Sequence, residues 1–247
     1  MRLAIVSDIH GNLHALEAVL ADLRAHSPEL TLNLGDHLSG PLQAAATADL
    51  LMAQRDWVHI RGNHDRRLID QEPDAMGPSD RAAHEGLTDE HTAWLRSLPA
   101  AAVVADNVLL CHGTPERDDE YLLEHVSASG VGLASHDEIR SRVDPKTRAV
   151  VCGHSHIPRL VQLAGDIVAV NAGSVGLQAY YDSAHRFPHV IESGSPHARY
   201  MLLDRTGRGW RATLRVIDYD WDAAAQLARE NGRSDWAHAL VTGYALR

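Results

Sequence analysis

The chain has 247 residues, of which 45% are hydrophobic and 23% charged, so it can bury a sizeable core as one large domain or two small ones. Its formal net charge of −10 argues against a broad nucleic-acid-binding surface, which would need a basic footprint. No apolar run approaches the roughly 20 residues that span a bilayer, and a strand predicted from Arg2 leaves no room for a signal peptide. We therefore expect a cytoplasmic protein that binds no membrane and carries its two cysteines, Cys111 and Cys152, as buried thiols.

The first predicted element is a buried strand that ends in two potential ligands. Four apolar residues in a row after Arg2 are typical of a strand buried on both faces. Asp8 and His10 follow at a glycine-assisted turn, and apolar residues at helical spacing predict an amphipathic helix behind them. Ligands of open α/β sheets bind at such strand ends, and an oxygen donor beside a nitrogen donor suits a divalent metal. Taken alone, the pair fits a helix cap equally well.

The rest of the chain predicts an α/β protein whose sheet begins parallel and ends antiparallel. The predicted strands are 30–34, 57–60, 102–104, 108–110 (with Asp106 and Asn107 at the preceding turn), 148–152, 158–163, 167–170, 200–203 and 210–217. Helices are predicted at 43–54, in patches of 66–98 and 115–147, and from about residue 221. We expect a single domain over residues 1–247, with a helical insert at about 66–98 and a loop on the substrate side at about 177–198.

Five predicted strands end in turns rich in metal donors. These turns hold Asp8 and His10, Asp36, Asn63 and His64, His112, and His154 and His156. Each of them alone also fits a turn residue, a partly buried histidine or chance in a chain with 17 histidines. Parallel neighbours would bring the donors together along one sheet edge, and the set exceeds what one tetrahedral zinc ion uses. This set of donors fits two metal ions about 3.5–4 Å apart that share one carboxylate.

In order and spacing, these turns resemble the five motifs of the calcineurin-like metallophosphoesterase family, in particular its small prokaryotic branch. The motifs are Asp8-x-His10, Gly35-Asp36, Gly62-Asn63-His64-Asp65, His112-Gly113 and Gly153-His154-x-His156. The resemblance implies a four-layer α/β/β/α sandwich, in which two mixed sheets pack face to face and are flanked by helices.

The resemblance also implies roles for the motif residues. One ion would bind Asp8, His10, Asp36 and His156, and the other would bind Asp36, Asn63, His112 and His154, with Asp36 bridging. A hydroxide between the ions would attack phosphorus, and the unligated His64 would act as general acid. Manganese is the expected metal; iron, nickel, cobalt and zinc suit the same donors, and availability decides between them.

The residues around these motifs predict the substrate class. The chain lacks the Asp-Arg pair that follows the Gly-Asp motif in the protein Ser/Thr phosphatase branch, which disfavours a phosphomonoester dianion. Arg61, Arg66 or Arg67 could compensate or could simply be solvated. Asp65 is a second catalytic candidate, because it could orient His64; alternatively it caps the next helix. The candidate substrate-binding residues are Asn12, Arg66, Tyr180, Tyr181, Arg186 and Phe187, whose aromatic members could stack on a nucleobase.

The leading hypothesis is a dinuclear metal-dependent phosphoesterase that hydrolyses a small phosphodiester or nucleotide-type phosphate ester. The alternative enzymes of the same fold are a dinucleoside polyphosphate hydrolase and a phosphomonoesterase. The alternative without catalysis is a protein-interaction scaffold of the same fold. The presence of His64 and of every expected ligand favours the enzyme.

Overall fold

Two five-stranded mixed sheets form the centre of the molecule. The computed structural model describes residues 1–104 and 107–246, so the predicted turn residue Asp106 lies outside the described part. In spatial order, the first sheet contains β14 (Gly209–Ile217), β13 (Ala198–Thr206), β1 (Arg2–Val6), β2 (Leu30–Asn33) and β3 (Val58–His59). The second contains β4 (Ala101–Val104), β5 (Val108–Cys111), β8 (Ala149–Cys152), β10 (Ile167–Asn171) and β9 (Arg159–Leu163).

Strand direction follows the predicted change from parallel to antiparallel. In the first sheet β1, β2 and β3 are parallel, whereas β13 pairs antiparallel with β1, and β14 pairs antiparallel with β13. In the second sheet β5, β8 and β10 are parallel, and antiparallel β4 and β9 form its edges. The parallel strands are the ones that end in the donor-rich turns, so their carboxyl ends deliver these turns together.

The core lies in layers because successive residues of each strand face opposite sides. Leu3 and Ile5 of β1 face the second sheet, where they join Val151 in one buried cluster. Ala4 and Val6 face the other way, toward α1 (Leu13–His26). The outer face of the second sheet is covered by α6 (His136–Ser141). The predicted α/β/β/α sandwich is thus confirmed.

Two groups of helices flank the edge of the sandwich where the parallel strands end. After α2 (Ala44–Met52), the insert contains α3 (Asn63–Asp70), a 3-10 turn (Pro73–Ala75), α4 (Pro78–His84) and α5 (Asp89–Ser97). The C-terminal pair is α7 (Trp221–Glu230) and α8 (Ser234–Thr242), and α8 contacts the segment that follows residue 177. Among the helices of the described ranges, none has the length and hydropathy that crossing a bilayer requires.

Two short hairpins stand where the sequence predicts other structure. Residues 115–147, predicted to be partly helical, contain β6 (Glu124–Ser127) and β7 (Gly130–Leu133). Residues 177–198, predicted to be a loop, contain β11 (Ala179–Asp182) and β12 (His189–Glu192). Strands of four residues beside many polar residues show too little alternation to be recognised from the sequence.

The turn after β10 ties the second sheet to the end of β1. Ser174 Oγ donates to the carbonyl oxygen of Asp8 at 2.8 Å, and the Gly176 amide donates to the same oxygen at 2.9 Å. The Val175 amide donates to the Ser7 carbonyl oxygen at 3.0 Å. This turn therefore fixes the backbone that carries Asp8.

Gly176 is expected to tolerate no side chain, because a Cβ there would overlap the carbonyl oxygen of Ile9. Replacing Gly176 by Ala should lower the free energy of unfolding by about 1–3 kcal/mol, the usual cost of overpacking. The control is Gly132→Ala in β7, where nothing lies within 4 Å of the added carbon. Guanidinium denaturation would measure both; equal midpoints would contradict the close approach.

Candidate metal centre

Donors from both sheets meet at one edge of the sandwich. Two groups of side chains each bring their ligand atoms within 4.8 Å of one another. The first group, triad 1, is Asp8, His10 and His156; the second, triad 2, is Asp36, His112 and His154. All of these residues except the half-buried His154 are buried. The Oδ1 atom of Asn63 lies beside triad 2, at 3.1 Å from Nε2 of His112.

The imidazoles are held in the tautomer that metal binding needs. Three of the four donate a proton from Nδ1 to a backbone carbonyl oxygen, which turns Nε2 toward the centre, where it can bind a metal in place of a proton. The pairs are His10 with Ser39 at 2.8 Å, His112 with Leu34 at 2.8 Å and His156 with Leu177 at 2.7 Å. As a result, Nε2 of His10 and Nε2 of His156 face each other at 3.2 Å, an arrangement that a shared cation stabilises. The nitrogen and oxygen donors therefore fit divalent transition metals.

The carboxylate of Asp36 interacts electrostatically with both triads. Its Oδ2 atom is 3.2 Å from Nε2 of His112, and its charge also acts on His10 of triad 1. Burial alone would lower the pKa of His112, but the Asp36 carboxylate raises it to about 10. Burial alone would raise the pKa of Asp8, but the charge of His156 lowers it to about 2. The site thus keeps both of its carboxylates ionised although they are buried.

The ligand-bearing turns have unusual backbone geometry. Five non-glycine donors have φ between 53° and 67°, in the left-handed region that L-residues avoid at a cost of roughly 1–2 kcal/mol each. They are Asp8, His10, Asp36, His154 and His156. Strained backbone of this kind is concentrated at functional sites, where the surrounding structure enforces it. Gly62 shows how close the packing is, because a Cβ there would lie 2.6 Å from the amide nitrogen of Asp36.

His64 stands at the start of α3, beside the triads, with a side chain that is 27% exposed. Its Nδ1 atom lies 2.6 Å from Oδ1 of Asp80, a buried carboxylate on α4, and 3.2 Å from Ser39 Oγ. Burial would lower the pKa of His64, but the charge of Asp36 and the hydrogen bond to Asp80 raise it. Asp80 was missed in the sequence, since the insert around it carries no recognisable motif.

Asp65 has a structural role instead of the predicted catalytic one. Its carboxylate accepts hydrogen bonds from the amides of Gly62 at 2.9 Å and Asp36 at 2.8 Å, and it lies 2.6 Å from Nδ1 of His37. Asp65 therefore caps α3 and holds the Gly-Asp turn in place, which matches the alternative reading of this residue. The carboxylate that orients His64 is Asp80.

A cavity of about 780 Å³ opens over the triads and His64. Of the predicted substrate-binding residues, Tyr180 and Tyr181 line it. The Tyr180 hydroxyl donates to the carbonyl oxygen of His154 at 3.2 Å and lies 2.7 Å from the hydroxyl of Tyr121, so Tyr180 also anchors a ligand turn. Tyr181 is 43% exposed and reaches solvent.

The structure does not bring the other predicted substrate-binding residues to the cavity. Asn12 is buried; it caps α1 and donates to the Gly176 carbonyl oxygen at 2.9 Å. The guanidinium of Arg66 donates two hydrogen bonds to Asp118, at 2.7 and 2.6 Å. Arg186 and Phe187 stack on each other at 5.2 Å and do not line the cavity themselves, although the adjacent His185 does.

The C-terminal helix supplies a side of the cavity that the sequence did not suggest. Trp236 of α8 sets its ring edge-on to His10, with 5.9 Å between ring centroids. Arg233 Nη1 donates to Ser79 Oγ of α4 at 2.9 Å, which joins the two helical groups across the cavity. Arg233 and Trp236 lie about 80 positions beyond the last ligand motif, so no spacing pattern in the sequence connects them to it.

Comparison with known protein families places residues 1–188 in the calcineurin-like phosphoesterase superfamily domain. The chain belongs to this superfamily. The resemblance found in the motifs is thus confirmed, and the candidate ligand triads lie within the matched region of this chain.

Two solved structures and one protein matched by sequence are similar to nearly the whole chain. A metallophosphoesterase from Sphaerobacter thermophilus superposes with a TM-score of 0.73 at 23% identity and covers 98% of this chain and 99% of its own. A hypothetical protein from Pyrococcus horikoshii OT3 reaches a TM-score of 0.75 at 17% identity, with 99% of each chain covered. An uncharacterised protein of Methanocaldococcus jannaschii is 23% identical in an alignment of 254 positions that covers 95% of this chain and 94% of that one.

We expect the protein to bind two divalent ions, one per triad, and Asp36 to matter for both. Asp36→Asn should reduce binding at both sites, because it removes a charge that acts on both triads. His112→Ala should lose chiefly the ion of triad 2. Elemental analysis after equilibration with excess Mn²⁺ would measure the content, with His84→Ala, outside both triads, as control. A single bound ion in the unaltered protein would contradict the expectation.

Proposed function

We propose that this phosphoesterase hydrolyses a phosphodiester or nucleotide-type phosphate ester at two divalent ions. The observation that carries the proposal is a pair of adjacent donor triads opening into a cavity beside a histidine that is backed by a buried carboxylate. One ion would be held by Asp8, His10, Asp36 and His156. The other would be held by Asp36, Asn63, His112 and His154. Manganese is the expected metal, and iron, nickel, cobalt or zinc would fit the same donors.

Ions bound there would supply Lewis acidity to the phosphoryl oxygens and lower the pKa of water to near neutrality. The chain itself provides the proton for the leaving oxygen. Because Nδ1 of His64 is engaged by Asp80, Nε2 is the nitrogen that remains for the substrate. The charge of Asp36 and the hydrogen bond to Asp80 raise the pKa of His64, which favours the protonated imidazole whose Nε2 can donate as the ester bond breaks. Asp80 acts as a positioning residue that fixes the ring and stabilises its charge.

The segment after Asp36 supports a diester over a phosphomonoester dianion. His37 is fully buried and its Nδ1 atom is bonded to Asp65 at 2.6 Å, so it is turned away from the cavity. Ser39 follows and contacts His64. This segment therefore contributes no cation that would favour a dianion over a singly charged diester. A phosphomonoesterase and a dinucleoside polyphosphate hydrolase remain the alternatives within the same chemistry.

The His64–Asp80 pair also supports catalysis over a purely structural scaffold. A scaffold has no need for a carboxylate that is only 2% exposed and lies behind a solvent-accessible imidazole. Burying Asp80 costs free energy that its bond to His64 offsets. Its retention fits a working general acid.

Replacing His64 should separate proton donation from metal binding. His64→Ala is expected to lower kcat by about 10²–10⁴-fold on an alkyl phosphodiester, whose leaving oxygen needs a proton. On bis-nitrophenyl phosphate the loss should be smaller, since nitrophenolate leaves without one. Asp80→Asn should show a weaker loss with the same dependence on the leaving group, and both variants should keep their metal.

The matched control is Asp74→Asn, an exposed carboxylate in the same insert. Steady-state kinetics on the two substrates and elemental analysis of each variant would provide the test. Equal losses on both substrates, or a lost ion in His64→Ala, would contradict the general-acid role.

A further inference from the structure

Arg67 is a positively charged residue of the cavity lining. It lies on α3, half-buried, and within residues 1–104 and 107–246 its side chain makes no hydrogen bond or ion pair. Its position three residues after His64 places both side chains on one face of the helix. Arg67 lines the same cavity as His64 and Asp80, and its positive charge acts on both.

The nearby carboxylates of the cavity have other partners. Asp118 accepts both hydrogen bonds from Arg66. The carboxylates of the lining, apart from the ligand Asp36, have partners of their own. These are Asp80 with His64 at 2.6 Å, Asp119 with Arg117 at 3.2 Å, Asp182 with the Ala184 amide at 3.0 Å, and Asp235 with Arg233 at 2.7 Å.

We propose that Arg67 binds a second phosphate of the substrate, next to the one that reacts at the metal centre. Three residues of helical rise place its Cα about 4.5 Å beyond that of His64, and the long side chain extends this reach. A guanidinium matches phosphate oxygens with two parallel hydrogen bonds, and a half-buried site strengthens them. The preferred substrate is then a nucleotide with at least two phosphate groups. This assignment rests on the proposed phosphoesterase function.

Two ligands that differ by one phosphate test the assignment. Adenosine monophosphate and adenosine α,β-methylene diphosphate would be compared as inhibitors of bis-nitrophenyl phosphate hydrolysis with excess Mn²⁺. The methylene diphosphate should bind about 10- to 100-fold more tightly, as expected for hydrogen bonds to a charged group. Arg67→Ala should bring this ratio close to one. Arg67→Lys should restore part of it, because the charge remains but the two-pronged contact is lost.

The charge-matched control is Arg55→Ala, an exposed residue on the far side of β3 from the metal centre, which should keep the ratio of the unaltered protein. Circular dichroism would verify that each variant is folded. A ratio that Arg67→Ala leaves unchanged, or one near one in the unaltered protein, would overturn the assignment. If the unaltered protein hydrolyses no phosphate ester, the proposed function fails, and calorimetric titration of the same two ligands still decides the role of Arg67.

Discussion

The structure depends on the burial of two carboxylates among four imidazoles at the edge where the sheets meet. Removing ionised groups from water is costly unless each has partners of opposite charge or hydrogen-bond donors. Asp8 and Asp36 have both, from His156 and His112 and from backbone amides of the facing turns. The rest of the molecule holds these partners at the required distances.

This constraint explains why the ligand turns tolerate left-handed backbone. The conformational free energy that these five residues cost is offset by hydrogen bonds between imidazole nitrogens and carbonyl oxygens of neighbouring turns. Asp65 contributes by binding the amides of both the Gly-Asp turn and the start of α3. Because the donors come from both sheets, the geometry of the centre is set only when the sheets pack correctly.

The candidate metal donors were predictable from the sequence because each follows a parallel strand within one to four residues. The contacts made by the residues next to His64 could not be predicted, because helix geometry decides which way their side chains point. Arg66 lies two positions after His64 and points to another side of α3, toward Asp118, whereas Arg67 lies three positions after it and shares its face. Adjacent Asp65 turns back to the helix start, and the carboxylate behind His64 comes from an insert without a regular pattern. Contacts across inserts and between distant segments cannot be predicted from the spacing of residues along the sequence.

The order of strands in the first sheet has a consequence for how selectivity can change. The family match ends at residue 188, yet β13, which follows it, lies directly beside β1 and is hydrogen-bonded to it. The same C-terminal part carries Trp236 and Leu246 to the cavity. The part of the chain beyond the family match is therefore anchored to the strand that precedes the first candidate ligand, and it lines part of the cavity without donating to the metal triads. Substitutions in the last helix can therefore change what fits into the cavity and leave the donor triads unchanged.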